Sequence, residues 1–239
     1  MILIVRCMRR WKVVSSKSPS SKAVDVVIQG DVKSLLKSEG FRKAGRTFHR
    51  PKGEMIQVVD FQTTWLNTPD EGRFTINLNV VLPFYHEMWT GQPLPKNPGN
   101  AAAICSRRLG HLLPGGTDRW WTVTPSTDCS RLSREVAELI RSVGLPYLTA
   151  ACDFQFLCEA LGSEEHFPGM LMSQDLAFAI LLCHLDRRGE AAHVIAEARG
   201  RTRVAGFTNT IDLIDQRLRF ASNNALHPTG AAGIDGAGE

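Results

Sequence analysis

The stretch Arg73–Pro83, RFTINLNVVLP, alternates apolar and polar positions with period two. Phe74, Ile76, Leu78, Val80 and Leu82 fall on one side, and Thr75, Asn77, Asn79 and Val81 on the other. That pattern predicts a strand with one buried and one open face. Upstream, Val24, Ile28, Val32, Leu35 and Leu36 recur at three- and four-residue spacing and predict a helix over Lys22–Glu39. Ser20 or Ser21 is placed to cap it, and Gly40 to stop it. Gly30, inside the stripe, weakens this helix by about 1 kcal/mol relative to Ala. Phe41–Arg50 and Glu54–Thr63 read as two strands around the turn residues Pro51-Lys52-Gly53. Asn67–Gly72 is a loop rich in turn formers.

Downstream, Gly91–Ala101 reads as loop, Ile104–Leu113 as a returning fourth strand, and Asp118–Val123 as a further extended piece. Helices are expected at Cys129–Val143, ended by Gly144, and at Tyr147–Leu161, Ser173–Leu185, Glu190–Arg199 and Thr210–Ala221. Leu176–Arg199 looks like one helical hairpin of tetratricopeptide type, but repeat arrays need about three copies, so a plain closing hairpin is the simpler reading. The expected fold is α+β: an N-terminal helix on a three- to four-stranded antiparallel sheet, followed by helices and a C-terminal helical hairpin. The expected divisions are an extension over 1–21, the α+β domain over 22–162, a helical segment over 163–222 and a disordered tail over 223–239.

Composition changes this picture little. Of 239 residues, 43% are hydrophobic and 22% charged, an ordinary globular mixture with net charge +4. Lys and Arg are scattered and form no dense stripe of the kind nucleic-acid binders carry. The six cysteines, Cys7, Cys105, Cys129, Cys152, Cys158 and Cys183, include no CxxC pair and read as reduced core thiols. The apolar run in Met1–Arg10 is short and precedes its positive charge, the wrong order for a signal peptide and too short for a membrane span. The cytoplasm is the expected location.

Five segments in order, GFRKAGRTFHR (Gly40–Arg50), IQVVDFQTTWLN (Ile56–Asn67), GRFTINLNVVLP (Gly72–Pro83), CSRRLGHLLPGG with DRWW (Cys105–Trp121) and GLPYL (Gly144–Leu148), resemble the bacterial family called domain of unknown function 4304. The resemblance covers about Lys22–Leu148. It implies a fold and no catalytic residue. The chain departs from it at Asn79, where the family often has Gly, and at Thr63-Thr64, where it has Lys-Ser. The final segment resembles translated flanking sequence of mobile gene cassettes.

Two constellations are candidates for function. On the polar sheet face, Asp60 and Gln62 share one side of their strand, and Thr75, Asn77 and Asn79 one side of the next. If the register joins those sides, a carboxylate, three amides and a hydroxyl line one surface, fit for a polar ligand; a merely solvated face is the alternative. The second group is Arg107, Arg108, Asp118, Arg119, Trp120 and Trp121, with His111 beside it. Neighbouring residues on a strand face opposite ways, so one Trp is expected in the core and the other at the surface beside Arg, a pairing typical of protein interfaces. There is no GxSxG, no HExxH or HxxxH, and no phosphate loop, so no catalytic group, metal or cofactor is assigned. The expected function is a non-enzymatic protein-binding module, interaction or immunity-like. The alternative is an enzyme using the polar face, with Asp60 as acid or base.

Overall fold

A computed structural model describes residues 18–163, 173–202 and 205–226. The first helix begins earlier than the stripe predicts. Ser18 caps α1 (Pro19–Val27) by accepting from the Ser21 amide at 3.2 Å, with Pro19 at the first helical position, where its missing N–H costs nothing. The helix then opens into a π-helical turn, Ile28–Val32, before resuming as α2 (Lys33–Ser38). The break falls at Gly30, whose ψ of −131° is not helical. Ser133 sits against this gap: an added Cβ at Gly30 would lie 2.6 Å from its Oγ. That hydroxyl donates to Val27 O at 2.7 Å and accepts from Val32 N at 3.4 Å, joining the groups the opened turn separates.

The described residues form one antiparallel sheet of six strands, and the expectation of three or four is corrected upward. The predicted strand Phe41–Arg50 is a hairpin, β1 (Arg42–Ala44) and β2 (Thr47–Lys52), turned at Gly45 with φ +65°. β3 is Met55–Thr63 and β4 is Gly72–Val81. The β2–β3 turn lies later than predicted, because Pro51 and Lys52 remain paired with Ile56 and Met55. β5 is only Cys105–Arg108; the rest of the predicted fourth strand coils into a 3-10 turn, Leu109–Leu112. β6 (Trp121–Val123) pairs with the start of β4, and β5 with its other half, so two short strands share one edge of β4.

Phe74, Ile76, Leu78 and Val80 are fully buried, with α1 against β4. α4 (Cys129–Leu139) packs on α1 and continues through a second π-helical turn, Ile140–Gly144, into α5 (Leu145–Ala150). Gly144 therefore does not end the helix. Its backbone is helical, and a Cβ there would meet Leu78 at 3.5 Å, an ordinary contact that does not disturb the packing.

α3 (Pro83–Thr90), which the alternation did not predict, starts where β4 ends, with Pro83 at its first position. α6 (Phe154–Gly162), α7 (Gln174–His184), α8 (Arg188–Arg201) and α9 (Ala205–Leu226) complete the described chain. α7 and α8 form the expected hairpin; its tight turn is at Asp186, with φ 60°, and Gly189 lies inside α8. Leu176, Ile180, Ile195 and Leu218 belong to the same apolar cluster as the sheet. Arg217 fastens α9 to α3, donating to Met88 O and Trp89 O, each at 2.8 Å. The tail expected from Asn223 is helical through Leu226; 227–239 lie outside the described residues, as do 1–17.

Candidate functional site

Strand register decides which polar side chains meet. Thr47 stands opposite Asp60, Asp60 opposite Asn77, and Asn77 opposite Arg108, forming one row across β2, β3, β4 and β5. In the next row Val58, Asn79 and Ser106 are neighbours, and on the other side Gln62 faces Thr75. All five predicted polar residues thus share a face. They differ in access. Thr75 is fully buried, and its hydroxyl donates to Arg119 O at 3.0 Å, tying the loop before β6 to the sheet. Asp60, Gln62, Asn77 and Asn79 remain open and line a cleft of about 710 Å³ together with Ser106 and Arg108.

Within the cleft the polar groups are bonded in pairs. Thr47 Oγ1 donates to Asp60 Oδ1 at 2.8 Å, Asn77 Nδ2 to Gln62 Oε1 at 3.0 Å, and Ser106 Oγ to Asn79 Oδ1 at 2.6 Å. Each pair fixes an orientation and leaves further donors and acceptors of its members unused. One wall is the turn Pro98–Asn100, where Gly99 lies so close to Thr47 that a Cβ would come within 2.6 Å of its methyl carbon. The other wall holds His111 and Gly116. His111 Nδ1 lies 3.0 Å from Gly116 O, an acceptor, so Nδ1 carries the proton and Nε2 is the acceptor of the neutral ring. Among the described residues Ser106 is bonded to an amide rather than to a base, and no group of three His, Cys, Asp or Glu is gathered as a metal would need.

The second constellation divides. Trp121 is 4% exposed and stacks on Phe74 with ring centroids 5.7 Å apart, a core residue. Trp120 is half-buried and faces the other way, with the guanidinium carbons of Arg73 and Arg108 6.0 and 5.4 Å from its ring centroid. Asp118 holds this group, pairing with Arg108 and accepting from Trp120 Nε1 at 3.1 Å. Partial burial raises the Asp118 pKa, but the bonds from Arg108 and Trp120 together outweigh it and hold the carboxyl below its usual range. Arg119 turns away to Glu135 at 2.6 Å. Arg107 is opposite Leu78, so its side chain leaves from the other face, where its charge acts on Cys105 and Tyr147.

Arg108 therefore belongs to both groups: it lines the cleft and it flanks Trp120. In the sequence the two groups look separate, and nothing local marks Thr47 or Ser106 as part of either. Ser106 alternates with Arg108 at period two, a signal that becomes legible only once Arg108 is known to face Asn77. A separate recess of about 580 Å³ between α3 and α9 is mainly apolar, and its one cation, Arg217, is spent on the carbonyls of α3.

The segments that build the cleft, from β1 to the end of α5, coincide with a known family: the sequence model described as Domain of unknown function (DUF4304) matches residues 32–150. Residues 32–150 belong to that family. No curated protein and no solved structure matches it. The DUF4304 region contains the floor of the cleft and both of its walls, whereas α1 and α6–α9 fall outside the match. No helix among the described residues is long and apolar enough to cross a membrane.

Proposed function

We propose that this DUF4304 protein is a protein-binding module, interaction or immunity-like, which takes a polar segment of its partner into the sheet-face cleft with Trp120 at the rim. The observation that carries this reading is the position of Arg108, which makes the cleft and the tryptophan rim one continuous surface. Interface energy concentrates where an aromatic anchor borders polar groups that are already oriented, and the hydrogen-bonded pairs on the cleft floor supply that orientation. The reading suits a reducing compartment such as the cytoplasm, in which the five described cysteines would stay free thiols.

The test is affinity capture with the full chain, comparing wild type with Trp120→Ala and Asn77→Ala, each shown to be folded by circular dichroism. A partner retained by wild type, lost at least tenfold by both variants and kept by a Phe220→Ser control in the distant recess supports the reading. Equal recovery by all four proteins overturns it.

A second reading, an enzyme with Asp60 as acid or base and Asn77 orienting substrate, draws on Asp60, Gln62 and Asn77 lining one cleft. It requires a turnover that Asp60→Asn abolishes while leaving ligand affinity within a few fold.

A further inference from the structure

The charges around the cleft are unequally matched. Arg108, on its floor, is paired with Asp118, and Arg119 nearby is paired with Glu135. Arg107 also borders the cleft, but it stands opposite Leu78, and its charge acts on Cys105 and Tyr147. Arg42 and His49 stand on this face but on β1 and β2, one row away from Asp60. Asp60 is different. It lies in the middle of the sheet, half-buried, and among the described residues it accepts one neutral hydrogen bond, from Thr47 to Oδ1, and has no ion-pair partner. Its second oxygen is free.

Beside it, Asn77 spends its Nδ2 on Gln62 and keeps Oδ1 free, and the two residues are direct cross-strand neighbours. Cross-strand neighbours have Cα atoms about 4.5–5.5 Å apart, so the carboxyl and the amide leave the sheet from adjacent positions on one face. His111 Nε2 adds an acceptor on the wall in the neutral ring. A chain with net charge +4 thus keeps, among its described residues, an unneutralised carboxylate at the floor of this cleft.

We infer that the cleft receives a cationic side chain, Arg or Lys, projecting from the partner, with Asp60 as its counter-ion and Asn77 Oδ1 as a second acceptor. This rests on the protein-binding reading above and specifies what enters the cleft. A guanidinium or ammonium brings several N–H donors and no acceptor, the complement of the free oxygens there. Placed in a partly dehydrated cleft, such a pair gains more than it would at an open surface. The paired Arg108 at the other end of the row turns away a second cation and sets the direction of entry.

The test is NMR titration of the isotope-labelled full chain with three capped tripeptides, Gly-Arg-Gly, Gly-Gln-Gly and Gly-Glu-Gly. The Arg peptide is expected to move the side-chain amide signals of Gln62, Asn77 and Asn79 and to bind roughly ten- to hundredfold more tightly than the Gln peptide. Asp60→Asn, nearly the same shape, should reduce it to the level of the Gln peptide. No response to the Arg peptide, or an equal response to the Glu peptide, overturns the inference. In the capture experiment, a partner lost with Trp120→Ala but unaffected by Asp60→Asn overturns the inference and leaves the protein-binding reading standing. A partner indifferent to Trp120 and Asn77 defeats that reading, whatever the peptides show.

Discussion

Replacing Ser133 with Ala tests the account of the broken first helix. The Ser133 side chain is 1% exposed, and its hydroxyl joins Val27 O at 2.7 Å to Val32 N at 3.4 Å across the opened turn. Alanine removes that bridge and adds no bulk. A buried backbone group left without a partner costs about 1–3 kcal/mol. The longer bond to Val32 N contributes the smaller share, so the expected loss is about 2 kcal/mol. In a chain of this size that lowers the thermal midpoint by about 4–8 °C and, for an m value of about 2–3 kcal/mol/M, the urea midpoint by about 0.7–1 M. Urea unfolding followed by far-ultraviolet circular dichroism and by tryptophan fluorescence measures it. Ser133→Cys, which keeps a weak donor, should fall between the two. A loss below about 0.5 kcal/mol would refute the reasoning, because it would mean that Val27 and Val32 close on each other without the hydroxyl.

Gly91→Ala should destabilise by at least about 1–2 kcal/mol, because Gly91 has φ +70° and a Cβ there would lie 2.5 Å from the Arg217 guanidinium; thermal unfolding checks it, and a neutral result would contradict the tight closure of α3. The Asp118 carboxyl, held below its usual range, keeps its bonds to Arg108 and Trp120 above that range and loses them as pH falls through its folded value. The indole N–H signal of Trp120 should therefore stay constant from pH 7 down to about 4, where an ordinary carboxyl titrates, and shift only below it; a shift centred above 4 contradicts the assignment. The Cys105 thiol, pushed up to about 11 by burial, should resist iodoacetamide at pH 8 in the folded chain and react once urea unfolds it, as read by mass spectrometry.

Sequence and structure agree where a single periodicity governs. The strand Arg73–Pro83 alternates as expected, and its polar side joins that of β3 because Asp60 stands opposite Asn77. The Trp pair also divides as neighbouring strand residues must, Trp121 inward and Trp120 outward. What the sequence hid depends on contacts between distant residues. Gly30 read as a weak point in a continuous helix, and only Ser133, about a hundred residues later, explains why the helix opens there. The helix α3 was masked by a proline that looked like the end of a strand, although Pro83 serves as its first residue. Thr75 fits the polar face by period, yet the loop before β6 buries it. The cleft itself needs Ser106 and Arg108 from β5, whose register with β4 no local pattern specifies.

The bond between Arg217 and the end of α3 also has a consequence in time. Arg217 follows Met88 and Trp89 by 129 and 128 residues. On a ribosome adding about 5–20 residues per second, the carbonyls at the end of α3 wait roughly 6–26 s for the guanidinium that holds them. Until then the nascent sheet carries a helix whose last turn is unfastened, and α9 acts as a latch that closes late. Pulse-labelling hydrogen exchange on stalled nascent chains should find the Gly91 amide unprotected in chains ending before Arg217 and protected in longer ones.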